Sequence, residues 1–129
     1  MPILPLHHIG VATESIAESA LQYELLTGAT CSAIEPLPEW GVRVAFVGHI
    51  ELLEPVGDEN LIRRFLSRRG PGLHHLAYRV PDILSRLAAF REVGLELIDE
   101  EPRPGVNGNL VAFVHPRSTG GVLWELVQG

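Results

Sequence analysis

The chain holds 129 residues, 46% of them hydrophobic, with a formal net charge of −6. That length suits a single domain with a real core, and the acidic balance argues against nucleic acid as a partner, because duplex binding is driven by phosphate neutralisation. All ten basic residues are arginine, which excludes Schiff-base, pyridoxal-type and P-loop lysine chemistry and leaves an anionic substrate to arginine, backbone N–H groups or a metal.

The start, "MPILPLHH", carries no basic run ahead of an apolar stretch, and no apolar run reaches the ~20 residues of a membrane helix. A cytoplasmic protein without membrane contact is expected. Cys31 has no second cysteine to pair with and reads as a small packing residue.

The first element is an apolar strand-like run, "LHHIGVA" at residues 6–12. A helix follows in "ESIAESALQYELLTG", where Ser15 and Glu18 form a capping box, Ala17, Leu21 and Leu25 recur at helical spacing, and Gly28 closes the run. The pattern then shifts toward period two in "CSAIEPL", "GVRVAFVGH" and "IELLEP". Residues 59–70, "ENLIRRFLSRRG", read as a connecting helix with Leu61, Ile62 and Phe65 inward and Arg63, Arg64, Arg68 and Arg69 on a solvated face. A second strand, "GLHHLAYRV", repeats the paired histidines, with His75 in the place of His8. Its helix, "PDILSRLAAFREVG", is capped by Asp82, buries Ile83, Leu87 and Phe90, and ends at Gly94. Asp82 follows Ser15 at the same offset as His75 follows His8, so the register of the repeat holds from the strand into the helix. Three more strands are expected in "LELIDEEPR", "NLVAFVHP" and "GVLWELVQ".

Each half therefore reads as βαβββ. One α+β domain over 1–129 is expected, with module one at about 5–56, the connecting helix at about 58–70 and module two at about 72–128.

Strand side chains alternate between faces, so His7 and His8 cannot point the same way. Ile9 and Val11 make a bulky apolar face suited to packing on a helix, and His7 shares it. His8 is followed on its face by the small Gly10 and Ala12, which leave room for a cavity. The second copy splits alike: His74 goes with Leu76, Tyr78 and Val80, and His75 with Ala77.

Each half also places an acid within an apolar strand, Glu51 and then Glu125, where an unpaired carboxylate would be costly. The spacing is 43 from His8 to Glu51 and 50 from His75 to Glu125, and the extra length fits a longer hairpin loop at "PRPGVNGN". Two imidazoles and two carboxylates converging on one cavity would make a divalent metal site with positions left open, suited to Co, Ni, Mn, Fe or Zn rather than to a closed structural zinc.

The segments "HHIGVA", "IELLEP", "GPGLHHLAYRV" and "HPRSTGGVLWEL" resemble the vicinal oxygen chelate superfamily (glyoxalase, bleomycin resistance protein, dioxygenase), and within it the methylmalonyl-CoA epimerases. The resemblance runs over essentially the whole chain. It implies paired βαβββ modules in an open, cup-shaped barrel (the glyoxalase-like fold), one divalent ion per chain, a homodimer and an acyl-CoA substrate. The family's metal positions fall on His8, Glu51, His75 and Glu125. The implied reaction interconverts the 2R and 2S thioesters by proton transfer at the carbon alpha to the thioester, with Glu125 as first proton carrier. Some members use an acid on the strand matching residues 41–48, which here has none, leaving Glu51 or another carboxylate as the second.

Two Gly-rich turns, "PRPGVNGN" and "HPRSTGG", carry Arg103, Gly105, Arg117 and Ser118, candidates for holding substrate carboxylate or phosphate. The alternatives are a glyoxalase I-like lyase or another metal-dependent enzyme on the same scaffold, and a metal-free small-molecule binding or resistance protein. Retention of all four ligand positions weighs against the last.

Overall fold

The computed structural model describes residues 3–129; residues 1 and 2, the first of the expected domain and of the "MPILPLHH" start, lie outside the described residues. In chain order the elements are β1 (Leu6–Ala12), α1 (Ile16–Thr27), β2 (Glu35–Leu37), β3 (Val42–Val47), β4 (Ile50–Pro55), α2 (Leu61–Arg69), β5 (Gly72–Arg79), α3 (Ile83–Glu92), β6 (Arg103–Pro104), β7 (Leu110–Val114) and β8 (Trp124–Gln128). Short 3-10 turns occupy Pro38–Trp40, Val106–Gly108 and Pro116–Ser118. The class is α+β, and no helix among the described residues is long and apolar enough to cross a membrane.

The chain forms two compact units whose boundaries fall between His8 and Ile9 and between His74 and His75. The unit of residues 9–74 pairs β2 with β3 and β3 with β4 antiparallel, and β4 with β1 parallel. Its core joins Val11, Ile16, Ala45, Val47 and Leu52, with Ile9, Ala20, Tyr23 and Cys31 packed against them. Ile9 and Val11 therefore face α1, as the alternation of "LHHIGVA" predicts. Cys31 is a packing residue, and burial followed by the Glu24 charge pushes its thiol up, away from the reactive thiolate.

The other unit holds, of the described residues, 3–8 and 75–129. β5 and β8 run parallel, while β7 pairs antiparallel with both β8 and β6. Val80, Ile83, Leu87, Leu97, Ala112, Val114 and Leu126 form its core, flanked by Leu4, Phe90 and Trp124. The N-terminal segment is tied in by Arg79, whose N–H donates to the Pro5 carbonyl at 2.9 Å.

The duplication reaches into the hydrogen bonds. Ser15 and Asp82 cap α1 and α3. Ile16 N–H donates to Glu54 Oε1 at 2.8 Å, and Ile83 N–H, its counterpart in the second module, donates to Gln128 Oε1 at 2.7 Å. In each unit the last strand thus satisfies the first orphan N–H of the helix.

Five expectations need correction, the first being the strand at "LELIDEEPR", of which only an isolated Leu97–Val114 bridge and the two-residue β6 form. Helix α1 buries Ile16 and half-buries Ala20 and Tyr23, whereas Leu21 is 65% and Leu25 88% exposed and Ala17 also faces solvent. Both stripes satisfy helical spacing, and the Ile16–Glu54 bond sets the helix phase. In α2 the buried residues are Ile62 and Leu66, while Leu61 is exposed beside the Asn60 cap. The strand at "CSAIEPL" shrinks to Glu35–Leu37, because Pro36 lacks an N–H and Pro38 ends the run. The extra length of module two sits between β7 and β8, in 115–123, rather than at "PRPGVNGN". β3 and β4 are joined by only Gly48 and His49.

Truncating the fully buried Leu87 to Ala should cost about 2–5 kcal/mol, whereas Leu25→Ala should stay within about 0.5 kcal/mol of wild type. Urea denaturation midpoints check both, and equal losses would contradict the assigned helix faces.

Candidate metal centre

His8 lies on β1, His75 on β5 and Glu125 on β8, all in one unit. The parallel β5–β8 register sets Ala77 opposite Glu125. His75 and Ala77 share a face, so Glu125 emerges beside His75 with only a methyl group in between. The three side chains are buried, at 4%, 5% and 7% exposure.

Their donor atoms close into a triangle. His8 Nε2 lies 3.0 Å from His75 Nε2, His8 Nε2 lies 3.1 Å from Glu125 Oε1, and His75 Nε2 lies 3.2 Å from the same oxygen. Burial alone would push the Glu125 carboxyl up, but hydrogen bonds from His75 and His8, with their charges, outweigh it and hold the group below its ordinary value. It is therefore ionised at neutral pH. A hydrogen bond needs its N–H aimed nearly straight at the acceptor, and each ring nitrogen has one such direction to share between two edges of the triangle. Three good hydrogen bonds cannot be made at once, whereas one cation can face all three atoms. The donor set, two imidazoles and a carboxylate, could hold a metal ion.

Glu51 is also buried, at 4% exposure, on β4. It stands opposite Gly10 in the parallel ladder with β1 and opposite Phe46 in the antiparallel ladder with β3. Glu125 stands opposite Phe113, the counterpart of Phe46 in the second module. The two acids are thus equivalent positions of the duplicated module. The Phe113 ring also stands edge-on to His75 at 5.8 Å between centroids and walls the site on that side.

The paired histidines part company as the alternation requires, but not fully. His74 is half-buried and its ring stands edge-on to Phe65 at 5.0 Å, a packing contact on α2. His7 is half-buried too, yet its Nδ1 turns back to within 2.7 Å of His8 Nδ1. The adjacency of the two residues was the only signal for that contact.

The turn residues are placed as follows. Arg103 Nε lies 3.1 Å from Asp99 Oδ1, with the arginine side chain half exposed. Gly105 is where the backbone passes Val111: a Cβ there would fall 2.6 Å from Val111 Cγ1. Arg117 is largely exposed near Glu96, and Ser118 Oγ accepts from Glu96 N–H at 2.7 Å. Sequence reasoning missed Asp99, a buried acid whose Oδ2 accepts the Phe113 N–H at 2.9 Å. In the segment "LELIDEEPR", this side chain does part of the work expected of a strand ladder.

Replacing His75 by Ala should abolish tight cobalt binding, whereas His74→Ala should leave it intact and cost about 1 kcal/mol of stability through the lost ring contact. Metal titration and thermal melting of both variants check this, and equal metal loss would refute the assigned faces.

The sequence pattern of the glyoxalase/bleomycin resistance protein/dioxygenase superfamily matches residues 7–113. An uncharacterized protein of Bacillus subtilis, YqjC, is 38% identical over 127 residues, covering 95% of this chain and 91% of the relative. The human mitochondrial methylmalonyl-CoA epimerase is 35% identical over 128 residues, covering 95% of this chain and 73% of the relative. The crystal structure of methylmalonyl-CoA epimerase from Mycobacterium tuberculosis superposes with a TM-score of 0.90 at 32% identity, over 95% of this chain and 86% of that one. By fold and by sequence, the chain belongs to the glyoxalase/bleomycin resistance protein/dioxygenase superfamily, with methylmalonyl-CoA epimerases among its relatives.

Proposed function

We propose that the chain is a metal-dependent epimerase that moves the proton alpha to the thioester of methylmalonyl-CoA from one face of that carbon to the other. The observation that carries this reading is the buried triangle of His8, His75 and Glu125, in a chain whose relatives include named epimerases. Two imidazoles and a carboxylate would suit a divalent ion such as Co, Mn, Ni, Fe or Zn.

His8 and His75 would hold the ion through Nε2, Glu125 through its carboxylate, and Glu51 is the fourth ligand we assign. Two facts support Glu51: its equivalence to Glu125 in the repeat, and its place beside Gly10, where no side chain intervenes. When bound, the ion supplies Lewis acidity at the thioester oxygen, where negative charge develops as the alpha proton leaves.

The chain's own groups do the rest. Glu125 is ionised and takes the alpha proton on one face. Strand β3 carries no acid between Val42 and Val47, so returning a proton on the opposite face falls to Glu51. Phe113, against His75, keeps bulk water from that side. We assign substrate carboxylate and phosphate recognition to the turns bearing Arg103, Gly105, Arg117 and Ser118, where Asp99 pre-orients the half-exposed Arg103 guanidinium.

The test is C2 proton exchange of methylmalonyl-CoA in heavy water with cobalt-loaded protein, run beside a hemithioacetal. Exchange at C2 without turnover of the hemithioacetal supports the epimerase; the reverse would make the chain a glyoxalase-type lyase. Glu125→Gln should lower the exchange rate by about 10²–10⁴-fold, and undiminished exchange would remove Glu125 as a base.

A further inference from the structure

We infer that His7, outside the ligand set, is a positioning residue for His8 that holds the ring in place and sets which of its nitrogens carries the proton. This rests on the reading of His8 as a metal ligand. A neutral imidazole has one N–H and one lone pair. His8 uses its two nitrogens on opposite sides: Nε2 faces His75 and Glu125, and Nδ1 meets His7 Nδ1 at 2.7 Å. For Nε2 to offer a lone pair to a cation, the proton of neutral His8 must sit on Nδ1, and it then needs an acceptor. His7 Nδ1 is that acceptor, with the proton of neutral His7 on its own Nε2.

Imidazole is suited to this position because it works in both directions. When His8 Nε2–H donates to Glu125, His8 Nδ1 is a lone pair, and His7 Nδ1–H donates to it. If His8 Nε2 gave up its proton to solvent, His8 Nδ1 would take the Nδ1 proton of His7 and His7 Nε2 would take one from solvent, so the same contact would run the other way. The number of protons on the two neutral rings is two in either state, so the exchange balances. The rings stand at 74° with centroids 5.0 Å apart, an edge arrangement that keeps the two Nδ1 atoms aimed at each other. His8 is buried while His7 is half-buried, so the outer residue lies nearer the surface. Partners of this kind on the second nitrogen of a ligating histidine fix its tautomer and orientation, and their loss typically costs about 10–100-fold in metal affinity.

The experiment measures cobalt affinity by chelator competition for wild type, His7→Leu and His7→Asp, with the one-bond ¹⁵N–H couplings of His8 recorded on the zinc-loaded proteins. A loss of about 10–100-fold in His7→Leu, largely recovered by the acceptor in His7→Asp, is expected. His8 in the zinc-loaded wild type should carry its proton on Nδ1. Wild-type affinity in His7→Leu would overturn the inference, and so would equal losses in the Leu and Asp variants, which would mean that only ring bulk matters. Should His7→Leu not fold, His7→Asp and the wild-type couplings still decide, because a wild-type His8 protonated on Nε2 in the zinc-loaded protein overturns the assignment. Wild-type protein that takes up no cobalt would instead overturn the metal reading itself, a result distinct from wild type and His7→Leu binding alike.

Discussion

The structure depends on keeping one carboxylate, Glu125, ionised out of water between two imidazoles. An isolated buried charge costs several kcal/mol, so Glu125 needs His8 and His75 as much as they need it. Those partners come from the first strands of the two modules, and the chain crosses between its units at these residues. Residues just before His8 pack with module two: Leu4 lies against its core and Pro5 accepts a hydrogen bond from Arg79. Module two therefore draws one of its site residues from the start of module one. A slip of β1 by a single residue would exchange His8 for His7 or Ile9 and leave Glu125 with one partner.

Duplication explains the positions but not the identities of the residues around this site. Glu54 and Gln128 do the same capping job in their units. Glu54 has Arg43 opposite it in register, with an ion pair at 2.6 Å, while Gln128 has Leu110 opposite. A charge is kept where a counter-charge meets it, and a neutral amide serves where none does. The connection between the last two strands obeys a similar logic. Gly48 and His49 suffice between β3 and β4, but 115–123 form a 3-10 turn braced to Glu96 through Ser118 and backbone bonds. The surplus length brings Arg117 and His115 to that surface.

The burial of His8, Glu51, His75 and Glu125 was legible in the sequence because alternation is a strict rule and the chain states it twice. Small residues after His8 and His75 marked the open face in each copy, and the buried acids followed at comparable distances. Helix faces were less legible. Ala17, Leu21 and Leu25 fit a helical stripe as well as Ile16, Ala20 and Tyr23 do, and long-range contacts, the Ile16–Glu54 bond and packing on Val11, Ala45, Val47 and Leu52, choose between them. Strand length was overread where a side chain replaces the ladder. Asp99 accepts the Phe113 N–H while Ile98 and Asp99 both donate to the Phe113 carbonyl. A local pattern carries no information on such a choice, because it is decided by a strand that lies further along the chain.

The same limit applies to His7. Alternation sends its side chain off the site face, and burial follows that rule, yet a ring as long as imidazole reaches around the backbone to its neighbour's Nδ1. Proton counting then links the whole cluster. His8 faces His7 on one side and both His75 and Glu125 on the other, and as a neutral ring it has one proton to give. The direction of any one of these contacts constrains the others. A cation held by the triangle would face both Nε2 lone pairs at once, and neutral His8 would then carry its proton on Nδ1, toward His7. With His7 assigned as a positioning residue, the one 2.7 Å contact would serve His8 with either of its nitrogens protonated.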